Sequence, residues 1–129
     1  MGSKGKGTRL ERELFHMFWE NSWGSIRVAG SGSTSLPAPD LLVGNSKRFL
    51  AIECKAGKEK RYIRRGQVEE LVEFSTKFGA EPWIAVRFNN MGWYFLGVDK
   101  LQDTKGGNFV VDKEFCKLNG ITFEDFIKG

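Results

Sequence analysis

Two short apolar runs, residues 41–43 and 49–52, constrain the fold of this chain most strongly. Each run has the length of a buried strand, and residues 44–47, Gly-Asn-Ser-Lys, are typical of a β-hairpin turn. Asp40 precedes the first run, and residues 53–55, Glu-Cys-Lys, end the second. We therefore expect a central antiparallel hairpin that carries ionisable side chains at one end.

The ionisable residues of this hairpin predict a metal site. Side chains alternate along a strand, so Glu53 and Lys55 point to one face and Cys54 to the other. A turn centred between the two runs places Asp40 opposite residues 51–53. Neighbouring carboxylates raise each other's pKa unless a cation compensates, and such oxygen ligands suit Mg²⁺ better than zinc. Lys55 would orient the attacking water or balance charge, and the residues leave open which group is the base.

Helical patterns flank the hairpin. Apolar residues recur at helical spacing over residues 9–20, which Thr8 would cap, and over residues 68–78, which end at a glycine. A last small helix is predicted over residues 123–127. Glu11 lies at the edge of the buried stripe of the first helix, where a third acid of a metal site would lie. It is also the expected capping-box partner of Thr8, so the helix pattern leaves both roles open.

The remaining apolar runs have strand length. The predicted strands are residues 25–28, 83–88 and 93–98, and a further short apolar run occupies residues 109–111. The resulting order, α, β, β, β, α, β, β, indicates an α/β fold with a mixed five-stranded sheet flanked by helices. We expect residues 8–129 to form a single domain, preceded by a flexible basic N-terminal arm over residues 1–7.

Charge and cysteine content narrow the function classes. The 129 residues include 20 Lys and Arg against 16 Asp and Glu, with a sequence pI near 9.2, and the cationic excess is concentrated in residues 55–65. This distribution allows an anionic partner such as nucleic acid, or a solvated face. No stretch approaches the roughly 18 apolar residues of a membrane-spanning helix. Two cysteines are too few for a disulfide scaffold or a zinc site and indicate a reducing, intracellular compartment.

The motifs together resemble the PD-(D/E)xK nuclease superfamily and, within it, the archaeal-type Holliday junction resolvases, which also occur in some viruses. The segments that carry the resemblance are residues 7–14 (GTRLEREL), 27–33 (RVAGSGS), 39–40 (PD), 50–55 (LAIECK) and 64–67 (RRGQ). The resemblance implies a restriction-endonuclease-like αβββαβ core. It also implies a homodimeric, Mg²⁺-dependent endonuclease, with Mn²⁺ as an alternative ion, that makes paired symmetric nicks in four-way DNA junctions.

The resemblance further implies a role for each matched position. The implied catalytic residues are Glu11, Ser31, Asp40, Glu53, Lys55 and Gln67. Among them Glu11, Asp40 and Glu53 would be metal ligands, assisted by the backbone carbonyl of Cys54. Lys55 would orient water, Ser31 would approach the scissile phosphate from its loop, and Gln67 would lie behind the site. Together with the basic segment, the expected DNA contacts are Arg9, Arg27, Ser31, Lys58, Lys60, Arg61, Arg64 and Arg65.

Several alternatives stay open at this point. The nuclease chemistry would serve duplex or flap DNA as well as a junction, and a degenerate site would leave a non-catalytic nucleic-acid-binding module. The aromatic residues of the two strands within residues 83–98 are either core or a self-associating face. Residues 30–33 are either a connector or an arm that enters the junction. The expected location is the cytoplasm, associated with the nucleoid, or the host cytoplasm if the source is viral.

Overall fold

The computed structural model describes residues 2–29 and 36–129, with side chains described from Gly7 onward. The elements in chain order are α1 (Gly2–Glu20), β1 (Gly24–Arg27), β2 (Leu41–Gly44), β3 (Phe49–Gly57), β4 (Lys60–Ile63), α2 (Arg65–Phe78), β5 (Glu81–Phe88), β6 (Trp93–Gly97), a 3₁₀ turn (Val98–Lys100), β7 (Gln102–Asp103), β8 (Phe109–Asp112), α3 (Lys113–Asn119), β9 (Ile121–Thr122) and α4 (Phe123–Phe126).

The main sheet is mixed and confirms the predicted fold class. Its strand order is β1-β2-β3-β5-β6-β9, in which only β3 and β5 pair in parallel. The central hairpin forms as predicted, with Leu41 opposite Ile52. In its turn, the Asn45 side chain accepts hydrogen bonds from the backbone N–H groups of Lys47 and Arg48. The sheet has six strands rather than five because the two-residue strand β9 extends the β6 edge.

Helices cover both faces of the main sheet and create two apolar layers. Leu50 and Ile52 of β3 pack with residues of α1 and α4 on one face, and Ala51 packs with residues of α2 and α3 on the other. This division follows from the alternation of side chains along β3. Among the described residues, no helix combines the length and the apolar character needed to cross a membrane.

The predicted start of the first helix is wrong. Helix α1 begins at Gly2 rather than at residue 9, so residues 2–7, expected to be a flexible arm, are its first turns. No proline interrupts this segment, and each glycine costs a helix only about 1 kcal/mol relative to alanine. Thr8 therefore lies inside the helix and is not its N-cap. The capping-box role considered for Glu11 is removed as a result.

The second sheet and helix α3 were not predicted. Strand β4 pairs with β8, which also pairs with β7, to form a three-stranded sheet. Strand β4 has the sequence Lys-Arg-Tyr-Ile. Burial alternates along it and Ile63 is buried, but its two cationic residues obscure this pattern in the sequence. Helix α3 is capped by the Asp112 side chain, which accepts a hydrogen bond from the Phe115 N–H. Only β4 of this small sheet lies between the central hairpin and α2 in the chain, whereas β7 and β8 follow β6.

Candidate active site

The carboxylate of Asp40 is held against the backbone of the neighbouring strand. The Asp40 N–H donates to the Ile52 carbonyl at 2.9 Å, which continues the β2–β3 ladder by one residue. Its Oδ2 accepts a hydrogen bond from the Cys54 N–H at 2.8 Å. The predicted pairing of Asp40 with the end of β3 is therefore confirmed, and the carboxylate lies beside Glu53 in the sheet.

Lys55 connects the hairpin to helix α2. Its side chain is only 7% exposed, and its Nζ lies 3.6 Å from Glu53 Oε2. The same Nζ donates a hydrogen bond to Gln67 Oε1 at 3.0 Å, from the first turn of α2. A buried ammonium is costly unless it is paired and hydrogen-bonded, and both conditions are met here. Glu53 and Lys55 thus share a face as the strand alternation predicted, and Gln67 joins them at the position that the resemblance implied.

The raised pKa of Glu53 indicates that a bound cation would stabilise this site. Burial, as the largest cause, and the negative charges of Asp40 and Glu11 together raise the pKa of Glu53 to about 7, although Lys55 opposes the rise. Two carboxylates that stay near one another in a partly buried site are stabilised in their ionised form by a bound positive ion. A hard divalent cation matches this oxygen donor set.

Glu11 projects from helix α1 toward the same site. Burial and the charge of Asp40 raise the pKa of Glu11, whereas the hydrogen bond and charge of Arg27 lower it. The Arg27 guanidinium lies 3.4 Å from the Glu11 carboxylate, through Nη2 and Oε1. Glu11 therefore lies near Asp40 but is already paired with an arginine of β1.

The described residues do not form a preformed metal cage. Across residues 2–29 and 36–129, no three His, Cys, Asp or Glu side chains converge on a common point. Mg²⁺ is usually held by one or two carboxylates and keeps several of its waters, so Asp40 and Glu53 suffice for such a site. The assignment of Asp40, Glu53, Glu11 and the Cys54 carbonyl as metal ligands stays a prediction.

Two predicted DNA contacts already use their donors within the protein. Arg61 Nη1 donates to the Ala56 carbonyl at 2.9 Å. Arg65 Nε donates to the Gly107 carbonyl at 2.7 Å, and its guanidinium lies 4.5 Å from the ring centroid of Phe109. These bonds connect β4 and the start of α2 to their neighbours. The two arginines therefore have a structural role, and their part in DNA contact stays a prediction.

Of the other predicted DNA contacts, the structure describes four exposed cationic residues but not Ser31. Lys58, Lys60 and Arg64 are exposed near the ends of β3, β4 and α2, and Arg9 is exposed on α1. Ser31 lies outside the described residues, as do the other residues of the segment 30–35. The interpretation of Lys58, Lys60, Arg64 and Arg9 as DNA contacts is compatible with their exposure and stays a prediction.

Sequence reasoning missed a polar cluster that anchors helix α1. Glu13 Oε1 accepts hydrogen bonds from Arg87 Nε at 3.2 Å and from Trp93 Nε1 at 2.8 Å. Arg87 and Trp93 lie 74 and 80 positions after Glu13 in the chain, so no local pattern could reveal the contact. Glu13 is two residues from Glu11, and this anchor consequently helps to set the position of Glu11 on α1.

Comparisons with known proteins give consistent matches over nearly the whole chain. A family model described as "Archaeal holliday junction resolvase (hjc)" matches residues 2–129. The chain is 42% identical over 116 residues to crossover junction endodeoxyribonuclease Hjc of Archaeoglobus fulgidus, covering 89% of this chain and 85% of that protein. It is 36% identical to the Hjc of Methanocaldococcus jannaschii, covering 95% of this chain and 86% of that protein.

A solved structure gives a similar result. The crystal structure described as Archaeoglobus fulgidus Hjc, a Holliday junction resolvase from an archaeal hyperthermophile, matches with a TM-score of 0.86 at 38% sequence identity. The match covers 95% of this chain and 100% of that structure. The similarity therefore includes both the main sheet and the elements that follow it.

Proposed function

This chain belongs to the archaeal Holliday junction resolvase family, and from that membership we propose its function. It is a crossover junction endodeoxyribonuclease, a structure-selective enzyme that resolves four-way DNA junctions by hydrolysing phosphodiester bonds in paired symmetric nicks. The observation that carries the proposal is the grouping of Asp40, Glu53 and Lys55 at one end of the central hairpin. That grouping supplies both the anionic ligands and the cation that phosphodiester hydrolysis requires.

Nucleases of this family are generally metal-dependent, and we propose Mg²⁺ as the ion, with Mn²⁺ able to replace it. Asp40 and Glu53 would hold it, with Glu11 and the Cys54 carbonyl as further ligands. When bound, such an ion polarises the phosphodiester and lowers the pKa of a coordinated water. The raised pKa of Glu53 supports the assignment, because a cation would offset the repulsion among the carboxylates.

The other residues of the site orient water, position one another and balance charge. The Lys55 ammonium lies beside Glu53, where it can orient a water molecule and offset the negative charge that develops on the phosphoryl oxygens. Gln67 holds Lys55 through its carbonyl oxygen, so its role is positioning. Arg27 pairs with Glu11 at the other side of the site and supplies a cation near the DNA backbone.

Cleavage of an immobile four-way junction tests the proposed function. We expect Mg²⁺-dependent symmetric nicks near the point of strand exchange, no cleavage in EDTA, and no cleavage of the linear duplex that matches one arm. Equal cleavage of the duplex would retain the nuclease chemistry and exclude junction selectivity. Junction binding without metal-dependent cleavage would indicate a binding module instead.

We also propose that the enzyme acts as a homodimer, because two symmetric cuts require two sites related by a two-fold axis. We propose that the aromatic strands β5 and β6 stay outside the interface, since Phe88, Trp93 and Phe95 are at most 3% exposed, and Trp83 and Tyr94 pack half-buried against the two apolar layers. Larger apolar exposure occurs at Phe49 and Phe78, which are 51% and 58% exposed and line the same groove. We assign the dimer contact to Phe49 and Phe78. Trp19 lines the same groove and lies outside the contact that we propose.

Introducing a charge at Phe49 should dissociate the dimer. We expect Phe49→Asp to raise the dimer dissociation constant at least about 100-fold, because a carboxylate would lose its water in an apolar contact. Sedimentation velocity over a concentration series measures the change. Leu118→Asp is the matched control, since Leu118 is 76% exposed on α3 and outside the groove. A Phe49→Asp protein that still sediments as a wild-type dimer would exclude this interface.

Metal affinity should depend on pH through Glu53. Its pKa of about 7 means that the carboxylate is mostly protonated at pH 6, and a proton must leave before the oxygen can bind metal. We expect the association constant for Mg²⁺ to fall about tenfold from pH 8 to pH 6, as measured by calorimetry. Glu53→Gln should bind weakly and lose this dependence. A pH-independent affinity in the wild type would show that Glu53 is not a ligand.

Location and domain organisation remain part of the proposal. Because the substrate is DNA, we propose that the enzyme acts in the cytoplasm, on DNA of the nucleoid, or in the host cytoplasm if the source is viral. We further propose that residues 8–129 act as one nuclease domain.

A further inference from the structure

A groove between α1 and β1 is not used by the proposed catalysis. Its volume is about 610 Å³, within the range of roughly 300–1,000 Å³ typical of small-ligand sites. Helix α1 contributes cationic and aromatic side chains to the groove, and strand β1 contributes its edge. The residues used below are Arg12, Phe15, His16, Trp19, Ser25 and Arg27.

Trp19 presents a fixed aromatic face to this groove. Its side chain is 55% exposed, so it does not serve the core. Its indole N–H donates to the Ser25 carbonyl at 2.8 Å, which restrains the ring against strand β1. Phe15 and His16 lie alongside, with their ring centroids 5.0 Å apart in an edge-to-face arrangement. A restrained, accessible indole is a platform on which a planar ring stacks at little entropic cost.

The groove also carries unused positive charge and unpaired polar atoms. Arg12 is exposed and has no ion-pair partner in the described part of the chain. Arg27 Nε and Ser25 Oγ are buried and lack hydrogen-bond partners there. Buried polar atoms without partners are costly, so they point to a ligand that supplies acceptors. None of the lining side chains is acidic.

The groove is continuous with the catalytic end of the hairpin. Arg27 lines it and at the same time pairs with Glu11 at 3.4 Å. A DNA strand that reaches Glu11 and Asp40 would therefore have its next nucleotides beside α1. Arginines recognise phosphate, and every base has a face that stacks on an aromatic ring.

We propose that this groove binds one unpaired nucleotide of the strand being cut, with its base stacked on Trp19 and its phosphate on Arg12 and Arg27. The inference rests on the proposed function. A base inside a duplex is stacked on its neighbours and cannot reach the indole, whereas a base at the point of strand exchange is released at lower cost. The groove thereby favours junctions over linear duplex without reading sequence.

Variants at Trp19 test the proposal through the ratio of junction to duplex affinity. The dissociation constants are measured by fluorescence anisotropy at fixed salt, with Ca²⁺ replacing Mg²⁺, for an immobile junction and for its duplex arm. We expect Trp19→Ala to weaken junction binding about tenfold and duplex binding less than about twofold. Trp19→Phe retains a ring but loses the bond to Ser25, and we expect it to stay within about threefold of wild type. Leu118→Ala, an exposed apolar truncation on α3, should change neither affinity.

Three results would overturn the proposal. The first is an equal loss on junction and duplex, and the second is a Trp19→Phe protein as weak as Trp19→Ala, which would assign the effect to the Ser25 bond. The third is a Trp19→Ala protein that sediments as a monomer, which would make the groove a contact between copies. The junction-cleavage assay distinguishes failure of this proposal from failure of the proposed function. If the proposed function were wrong, wild-type enzyme would not cut the junction in Mg²⁺.

A photocrosslink keeps the proposal testable if Trp19→Ala does not fold. A junction with 5-iododeoxyuridine next to the point of exchange is irradiated with wild-type protein, and the crosslinked peptide is identified by mass spectrometry. Crosslinking at Trp19 is the expected result, with no crosslink there when the same base lies inside a duplex arm. Absence of the Trp19 crosslink at every position near the exchange point would overturn the proposal.

Discussion

Replacing Asp40 by asparagine should reduce junction cleavage at least about 1,000-fold while changing junction affinity less than about threefold. The substitution removes the negative charge that would hold Mg²⁺ beside Glu53 but keeps an oxygen that can accept the Cys54 N–H. The backbone pairing of Asp40 with Ile52 does not involve the side chain and is retained. The variant therefore separates metal-dependent chemistry from folding and from DNA binding.

Single-turnover cleavage of the junction, with binding measured on the same substrate, gives both quantities. Asp99→Asn is the matched control, because Asp99 is an exposed aspartate on the 3₁₀ turn after β6. It should cleave at the wild-type rate. If Asp40→Asn retained more than about a tenth of wild-type cleavage, Asp40 would not be a metal ligand. If it lost junction binding together with cleavage, the site would have a larger part in DNA recognition than proposed.

The hairpin that carries Asp40 was predictable because its information is local. Two apolar runs, a turn with Asn45 and the alternation of side chains together determine which residues share a face and which lie opposite. The structure reproduces this pairing, with Leu41 opposite Ile52. Helix α2 was predictable for the same reason, since its apolar spacing ends at Gly79, whose φ of 90° suits glycine.

The features that could not be predicted depend on contacts between distant parts of the chain. Strand β4 is strongly cationic and becomes a strand only because β8, some 50 residues later, pairs with it, as Lys60 does with Asp112. The start of α1 was misjudged because Thr8 has the local features of a cap, although the helix continues through it. The anchor of Glu13 on Arg87 and Trp93 likewise has no local signature.

These distant contacts bear directly on the candidate site. Glu13 holds α1 against β5 and β6, and the Arg65 bonds hold the first turn of α2 against the loop before β8. The first arrangement places Glu11 near Asp40, and the second places Gln67 beside Lys55. The acids of the hairpin are thus encoded locally, whereas the residues that complete the site depend on the tertiary fold.

Replacing Lys55 by methionine should also reduce cleavage at least about 1,000-fold, and for a different reason. Methionine keeps the unbranched buried stem but removes the ammonium that lies 3.6 Å from Glu53. The charge that would orient water and stabilise the transition state is then lost. Because Lys55 lowers the pKa of Glu53, its removal raises that pKa further, and a larger fraction of Glu53 is then protonated at pH 7.5.

Two measurements separate these consequences of Lys55→Met. Calorimetry at pH 7.5 should show weaker Mg²⁺ binding, which recovers as the pH rises and Glu53 ionises, whereas single-turnover cleavage should not recover because the ammonium is absent. Lys77→Met is the matched control, since Lys77 is 76% exposed on α2 and its one ion pair among the described residues is with Glu73. Recovery of cleavage in parallel with metal binding would restrict Lys55 to tuning Glu53. Persistent loss of cleavage at full metal occupancy would instead require the ammonium in the chemical step itself.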